Sequence, residues 1–130
     1  MGSTKVLIAD DHEVIRTGVR LLLDTDDFEV VAEAPNGLVA IDLTVEHSPD
    51  IVIMDVDMPY LDGIEATRRL KEANPDARVL ILSAESRHTL AEEVQAAGAA
   101  GLVDKYCCVE ELPRALGALR NGECWFPVRA

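Results

Sequence analysis

Ile51-Val52-Ile53-Met54-Asp55-Val56-Asp57-Met58-Pro59 is an apolar run closed by a carboxylate and then by a turn. Four consecutive apolar residues suit a strand buried on both faces, the kind found in the parallel sheet of an α/β protein. Two other runs have the same form. Val6-Leu7-Ile8-Ala9 is closed by the acidic pair Asp10-Asp11, and Leu102-Val103 precedes Lys105. Carboxylates at the ends of buried strands are costly unless they are solvated or hold a cation. In an open parallel sheet the strand C-termini are also where ligands bind. Three acids and a lysine at one sheet edge therefore point to a site that binds a divalent metal and handles phosphate.

Working outward, short apolar segments alternate with amphipathic ones five times. Strands are expected at 5–10, 28–34, 51–55, 78–83 and 101–104, and helices at about 12–23, 37–47, 64–74, 87–97 and 109–120. Turn chemistry separates them: Pro35-Asn36-Gly37, Ser48-Pro49-Asp50, Asn74-Pro75-Asp76, and Gly98 after the fourth helix. Regular βα alternation implies an α/β doubly wound domain with a five-stranded parallel sheet. The flavodoxin-like strand order 2-1-3-4-5, common for five βα units, sets the ends of strands one and three side by side.

A chain of 130 residues is one domain with room for a single sound core. It is 48% apolar but only 4% aromatic, so Val, Ile, Leu and Ala must fill that core. Its 24 acids against 12 bases give a net charge of −12, which repels nucleic acid phosphates and argues against DNA binding by this segment itself. No apolar run approaches the roughly 20 residues of a membrane span, and no signal peptide opens the chain. Residues 1–4 read as an N-terminal tail, with Met1-Gly2-Ser3 resembling an expression scar. Cys107, Cys108 and Cys124 lack the spacing of a disulfide framework or zinc site, and adjacent cysteines bridge only under strain. Reduced thiols in a cytoplasmic protein are the expectation, with a redox switch as the alternative. The domain is expected over 5–121; residues 122–130 either pack back as a cap or begin a linker.

The strand order would bring Asp10, Asp11 and Asp55 into one pocket, where three carboxylates cannot all ionise without a cation. An all-oxygen site with open positions suits Mg²⁺, which keeps several waters and often bridges to phosphate. The plainer reading of Asp10-Asp11 is a helix N-cap, but capping uses one Asp and leaves the other unexplained. Asp55 could act only as a metal ligand or also as a nucleophile, since carboxylates attack phosphoryl groups to give acyl phosphates. Such chemistry needs a metal, a cation and hydrogen-bond donors, which Lys105 and Ser83 can supply. Taken singly, Lys105 would be a surface lysine and Ser83 a strand terminator; their joint placement gives them weight.

Over residues 5–121 the sequence resembles the receiver domain of two-component response regulators. The resemblance rests on Asp10-Asp11, on Asp55 within Met54-Asp55-Val56-Asp57-Met58-Pro59 followed by Asp62-Gly63, on Ser83-Ala84, and on Lys105. Asp10-Asp11-His12-Glu13-Val14-Ile15-Arg16-Thr17-Gly18 and Asp62-Gly63-Ile64-Glu65-Ala66-Thr67 resemble its LuxR/FixJ-type transcription regulators, where a helix-turn-helix domain follows. The resemblance implies that Asp55 accepts phosphoryl from a histidine kinase. Asp11, Asp55 and the Asp57 carbonyl would hold Mg²⁺, with Asp10 helping through water. Ser83, Lys105 and the Ala84 amide would contact the phosphoryl oxygens. The protein would be a phosphoacceptor, not an enzyme, able to catalyse its own phosphorylation and dephosphorylation. It would regulate transcription, reaching DNA only through a further C-terminal domain. Leu102 departs from the pattern, standing where the family carries a switch aromatic; Tyr106 could substitute as a mobile aromatic, though the plainer reading, a partly buried loop tyrosine, is favoured. Asp57 and Glu85, two residues past Asp55 and Ser83, are expected at the rim of the phosphoryl group, where one or the other controls hydrolysis; solvated rim charges are the alternative. A homodimer formed on phosphorylation through 87–121 is also expected, because Leu90, Ala91, Val94 and Ala97 make a strongly apolar helix face.

Two rivals belong to other classes. A haloacid-dehalogenase-like phosphatase also uses an aspartyl nucleophile in an Asp-x-Asp motif, which Asp55-Val56-Asp57 fits. Its nucleophile, however, ends the first strand and its core needs more chain. A degenerate receiver serving only as an interaction module is disfavoured by the complete acid, serine and lysine set. A flavodoxin-like cofactor domain would need a phosphate loop where Asp10-Asp11 would repel it.

Overall fold

The strand and helix segments alternate because each apolar run of alternating depth is followed by a one-sided helix that covers it. In the computed structural model, residues 3–84 and 89–126 are described. The elements are β1 (Thr4–Ala9), α1 (Glu13–Leu22), β2 (Phe28–Ala34), α2 (Gly37–His47), β3 (Ile51–Asp55), α3 (Gly63–Ala73), β4 (Arg78–Ser83), α4 (Leu90–Ala96), β5 (Gly101–Asp104) and α5 (Cys108–Arg120). All five strands are parallel in the order β2-β1-β3-β4-β5, the expected topology. One element is new: a 3-10 turn at Lys105–Cys107 leads into α5. The Asp104 side chain initiates it by accepting a hydrogen bond from the Tyr106 amide at 2.8 Å. The proposed start of the fourth helix, residues 87 and 88, lies outside the described residues.

Successive strand residues feed two separate cores. Val6, Ile8, Ile51, Ile53, Leu80 and Leu82 face α1 and α5, meeting Val19, Leu112, Leu116 and Leu119. Leu7, Val52, Met54, Val79 and Ile81 face the opposite layer, with Ala40 of α2, Ala66 and Leu70 of α3, and Leu90 and Val94 of α4. Burial on both sides explains why these strands read as unbroken apolar runs. Each fully buried Leu or Ile contributes about 1.5–3 kcal/mol. The α4 face that looked too apolar for one-sided packing is used up in this way. Leu90, Val94 and Ala97 are buried and Ala91 packs on the same core, so that face is no exposed association surface.

The ends of elements follow local chemistry. Asn36 and Asp62 cap α2 and α3 by accepting from the Val39 and Glu65 amides, each at 2.9 Å. The buried hydroxyls of Thr44 and Thr67 donate to the carbonyls one turn back, each at 2.7 Å, so neither is left unsatisfied. Gly98 takes the left-handed φ of +104° needed to leave α4 for β5. Cys107, Cys108 and Cys124 are free thiols, and burial raises the Cys108 pKa, which makes it a poor nucleophile. Among the described residues no helix is long and apolar enough to cross a membrane.

The tail packs back as far as it is described. The Trp125 amide donates to the Ala100 carbonyl at 3.0 Å, and the Trp125 carbonyl accepts from the Leu102 amide at 2.8 Å. Those bonds cover the outer edge of β5, an otherwise open template for strand pairing. Trp125 packs on the α5 side of the sheet and stacks under the Arg114 guanidinium, 5.4 Å from the ring centroid. Removing a half-buried indole and its cation–π contact costs about 2 kcal/mol. Trp125→Ala is therefore expected to lower the urea midpoint, measured by circular dichroism, without changing the slope. An unchanged midpoint would mean the tail contributes nothing to the domain.

Candidate functional site

Adjacency of β1 and β3 at the centre of the sheet decides where the acids meet. Asp10 follows the last residue of β1, Asp55 is the last of β3, and both are buried, at 2% and 3% exposure. Acceptor atoms of Asp10, Asp11, His12 and Asp55 all lie within 4.8 Å of one another. Lys105, just past β5, reaches back over the sheet edge. Its Nζ lies 3.0 Å from Asp10 Oδ2 and 3.1 Å from Asp55 Oδ1. Ser83 closes β4 and is buried, one residue beyond Leu82, which pairs in register with Asp55. The structure thus brings Asp10, Asp11, Asp55 and Lys105 together and puts Ser83 at the same edge. Asp57 is exposed, and Glu85 lies outside the described residues.

The loop after β3 is held from behind. A Cβ on Gly63 would stand 2.1 Å from the Asp55 carbonyl oxygen, so only glycine lets α3 start this close to the strand. The Gly63 amide also donates to the Val56 carbonyl at 2.7 Å. The Asp62-Gly63 pair therefore fixes the height of Asp55 through packing. Between them the chain turns through Tyr60, a non-glycine residue at φ 71° with its side chain in solvent.

Within the cluster the oxygens have different duties. Asp55 Oδ1 takes Lys105 and accepts from the Asp57 amide at 3.3 Å, whereas the buried Oδ2 has no hydrogen-bond partner. Asp10 Oδ1 accepts from the His12 amide at 2.9 Å, but the N-cap of α1 is His12 with no side-chain cap, so neither Asp10 nor Asp11 caps the helix as the plainer reading had it. Asp10 Oδ2 is paired with the Lys105 ammonium at 3.0 Å. His12, overlooked in the sequence reading, sets its Nδ1 3.2 Å from Asp10 and 3.1 Å from Asp11. Its position next to the acidic pair was the available signal.

Burial pushes the Asp55 carboxyl above its ordinary pKa, the Asp10 charge adds to this, and Lys105 with the Asp57 amide pulls only part of the way back. For Lys105, burial acts to lower the pKa, but hydrogen bonding and charge from Asp10 and Asp55 outweigh it and leave the ammonium firmly protonated. One ammonium offsets one of three carboxylates. The remaining double negative charge, the orphaned Oδ2 and the oxygen-rich donor set fit a hard divalent cation such as Mg²⁺. Asp10, Asp11 and Asp55 would hold it.

Leu102, the departure from the family pattern, is 7% exposed and belongs to the core. Tyr106 is 85% exposed, with its ring in solvent.

Comparison with known proteins agrees with this geometry. The family described as "Response regulator receiver domain" matches residues 6–117. The chain is similar to the response regulator GacA of Pseudomonas aeruginosa, 38% identical over 120 residues that cover 92% of this chain and 56% of GacA. It is similar to the transcriptional regulatory protein DegU of Brevibacillus brevis, 35% identical over 119 residues covering 91% of this chain and 50% of DegU. The chain thus spans only half or little more of these relatives. Among solved structures, a LuxR-family two-component response regulator from Aurantimonas sp. SI85-9A1 superimposes with a TM-score of 0.89 at 35% identity, covering 95% of this chain and 89% of that one.

Because folding raises the Asp55 pKa, ionising Asp55 costs stability. That cost is absent below the ordinary value of 3.8 and complete once pH exceeds the folded value. In EDTA at neutral pH, Asp55→Asn should therefore melt above wild type. The gap should close as pH falls toward 3.8. Mg²⁺ at ten times its Kd should add ~1.4 kcal/mol to wild type and almost nothing to Asp11→Ala. If Asp55→Asn melts at or below wild type in EDTA, carboxylate repulsion is not what the site contains.

Proposed function

Since the chain belongs to the response regulator receiver domain family, we propose that Asp55 is its phosphoacceptor, taking a phosphoryl group from the phosphohistidine of a histidine kinase. The observation that supports this most is the unequal Asp55 carboxylate. One oxygen is pinned by Lys105 and the Asp57 amide, while the other is buried without a partner. A carboxylate fixed in this way presents one open oxygen in a fixed place, which is the positioning a nucleophile needs.

In the proposed transfer, Asp55 Oδ2 forms the bond to phosphorus as the P–N bond to the donor imidazole breaks, and the imidazole leaves with the electron pair. Mg²⁺, when bound, neutralises negative charge between the carboxylates and the phosphoryl oxygens. Lys105 exchanges a carboxylate partner for a phosphoryl oxygen and carries the signal toward β5. The Ser83 hydroxyl and the Ala84 amide donate to another oxygen from the end of β4. The aspartyl phosphate is an acyl phosphate, so water can return the site to its resting state. Asp57, exposed at the rim, is the described residue proposed to govern that step.

With Leu102 packed in the core, no aromatic at that position is available to swing, and Tyr106 already faces solvent. The proposed output runs instead through β5, the 3-10 turn and α5, where Val109 is 72% exposed. It would change self-association and, through a DNA-binding domain joined to this one, transcription, as the name of the relative DegU suggests. The phosphatase alternative is set aside by family membership. A non-phosphorylated receiver is disfavoured because Asp10, Asp11, Asp55 and Lys105 stand together.

A small acyl phosphate plus Mg²⁺ should add one phosphoryl group, seen by intact mass. EDTA should abolish the label and Asp55→Asn should prevent it. Equal labelling of Asp55→Asn would refute the assignment. Decay of the label should change in Asp57→Ala, and an unaltered rate would remove Asp57 from the hydrolytic step.

A further inference from the structure

The peptide joining Asp10 to Asp11 lies beyond the end of β1, outside the ladder of the sheet. Its upstream side is fixed, since the Asp10 amide donates to the Ala34 carbonyl of β2 at 3.0 Å. Its downstream side is held by α1, whose N-cap residue His12 offers no side-chain cap. Arg16, in the first turns of α1, extends back along the helix and donates from Nη1 to the Asp10 carbonyl at 2.6 Å. Its Nε donates to Glu33 Oε1 at 3.2 Å, and the other Glu33 oxygen is taken by Arg20. Arg16 is mostly buried, at 17% exposure, so its fork is locked between β2 and the turn it grips.

We infer that Arg16, locked by Glu33, is a positioning residue that orients the Asp10-Asp11 turn and thereby sets the affinity of the acidic site for a divalent cation. The inference rests on the phosphoacceptor reading above. Arg16 touches neither the carboxylate oxygens of the cluster nor the reacting atoms; it acts on the peptide plane from which Asp10 and Asp11 diverge. Its charge and its geometry make opposite predictions. A bare positive charge this near would repel a metal, so deleting it would tighten binding. Glu33 compensates that charge, and the geometric role dominates: deleting the fork loosens the turn and weakens binding. A lysine keeps the charge but cannot span a carbonyl and a carboxylate with a rigid fork.

Titration calorimetry with MgCl₂ on wild type, Arg16→Lys, Arg16→Ala and Asp11→Ala tests this, together with acyl phosphate labelling at limiting and saturating Mg²⁺. Loss of an outer-shell partner should raise the Mg²⁺ Kd of Arg16→Ala roughly 10-fold, with Arg16→Lys between it and wild type. Labelling of both should be slow at limiting Mg²⁺ and recover at saturation. A Kd for Arg16→Ala that is unchanged or tighter, with wild type still binding and labelling, overturns the inference and leaves the phosphoacceptor reading intact. If wild type neither binds Mg²⁺ nor labels, that reading fails and takes this one with it. Should Arg16→Ala not fold, Arg16→Lys decides: wild-type affinity there overturns the inference.

Discussion

The ammonium of Lys105, lying between Asp10 and Asp55, is the interaction on which the rest of the molecule turns. Two carboxylates buried to within a few per cent of full enclosure would repel each other and pay for lost water. One cation shared between them makes their burial tolerable, and it comes from a third strand. The C-terminal ends of β1 and β3 are thus tied by charge to the residue that follows β5, although β4 lies between β3 and β5 in the sheet. The bridge is incomplete, because Asp11 adds a further negative charge and one Asp55 oxygen has no partner. That residual imbalance is what suits the edge to a divalent cation. A fully neutralised cluster would be more stable and chemically silent.

Everything needed to hold that cluster is mundane packing. Alternating strand residues build two apolar layers, which fix the relative heights of the strand ends. Gly63 allows α3 to seat against the backbone of Asp55, and Arg16 secures the far side of the acidic turn. The carboxylate oxygens are therefore positioned by backbone-level contacts on rigid elements, while the side chains of Asp57 and Tyr60 beside them face solvent.

The sequence was legible where a residue's role depends on its own strand. Ile51 to Asp55 and Val6 to Ala9 announced buried parallel strands, and the closing carboxylates announced a sheet-edge site. The order of the strands was a matter of precedent, since nothing in the residues themselves says that β1 and β3 are neighbours. Roles that depend on contacts across the fold stayed hidden. The reach of His12 to two carboxylates, the Arg16 grip on Asp10 and the service of Gly63 to Asp55 each join residues through three-dimensional packing. The α4 face misled because Leu90, Val94 and Ala97 looked surplus when only one helix was counted; all three are buried, and Leu90 and Val94 share a core cluster with Ile81 of β4 and Leu102 of β5. The 3-10 turn at Lys105 was likewise invisible, since Tyr106-Cys107-Cys108 carries no turn residue and the turn is started by the Asp104 side chain.

The chain has a single Trp, and the fold has put it in an informative place. Trp125 shares main-chain hydrogen bonds with Ala100 and Leu102 and lies under a guanidinium. Leu102 is three residues from Lys105 along the same strand and its continuation. The indole is therefore a native fluorophore moored to the strand whose lysine meets the acidic site. Its emission wavelength and quenching by small solutes report the environment of that edge directly. Ligand occupancy at one end of β5 and the packing of Trp125 at its flank can thus be followed in the same optical signal, with no label attached.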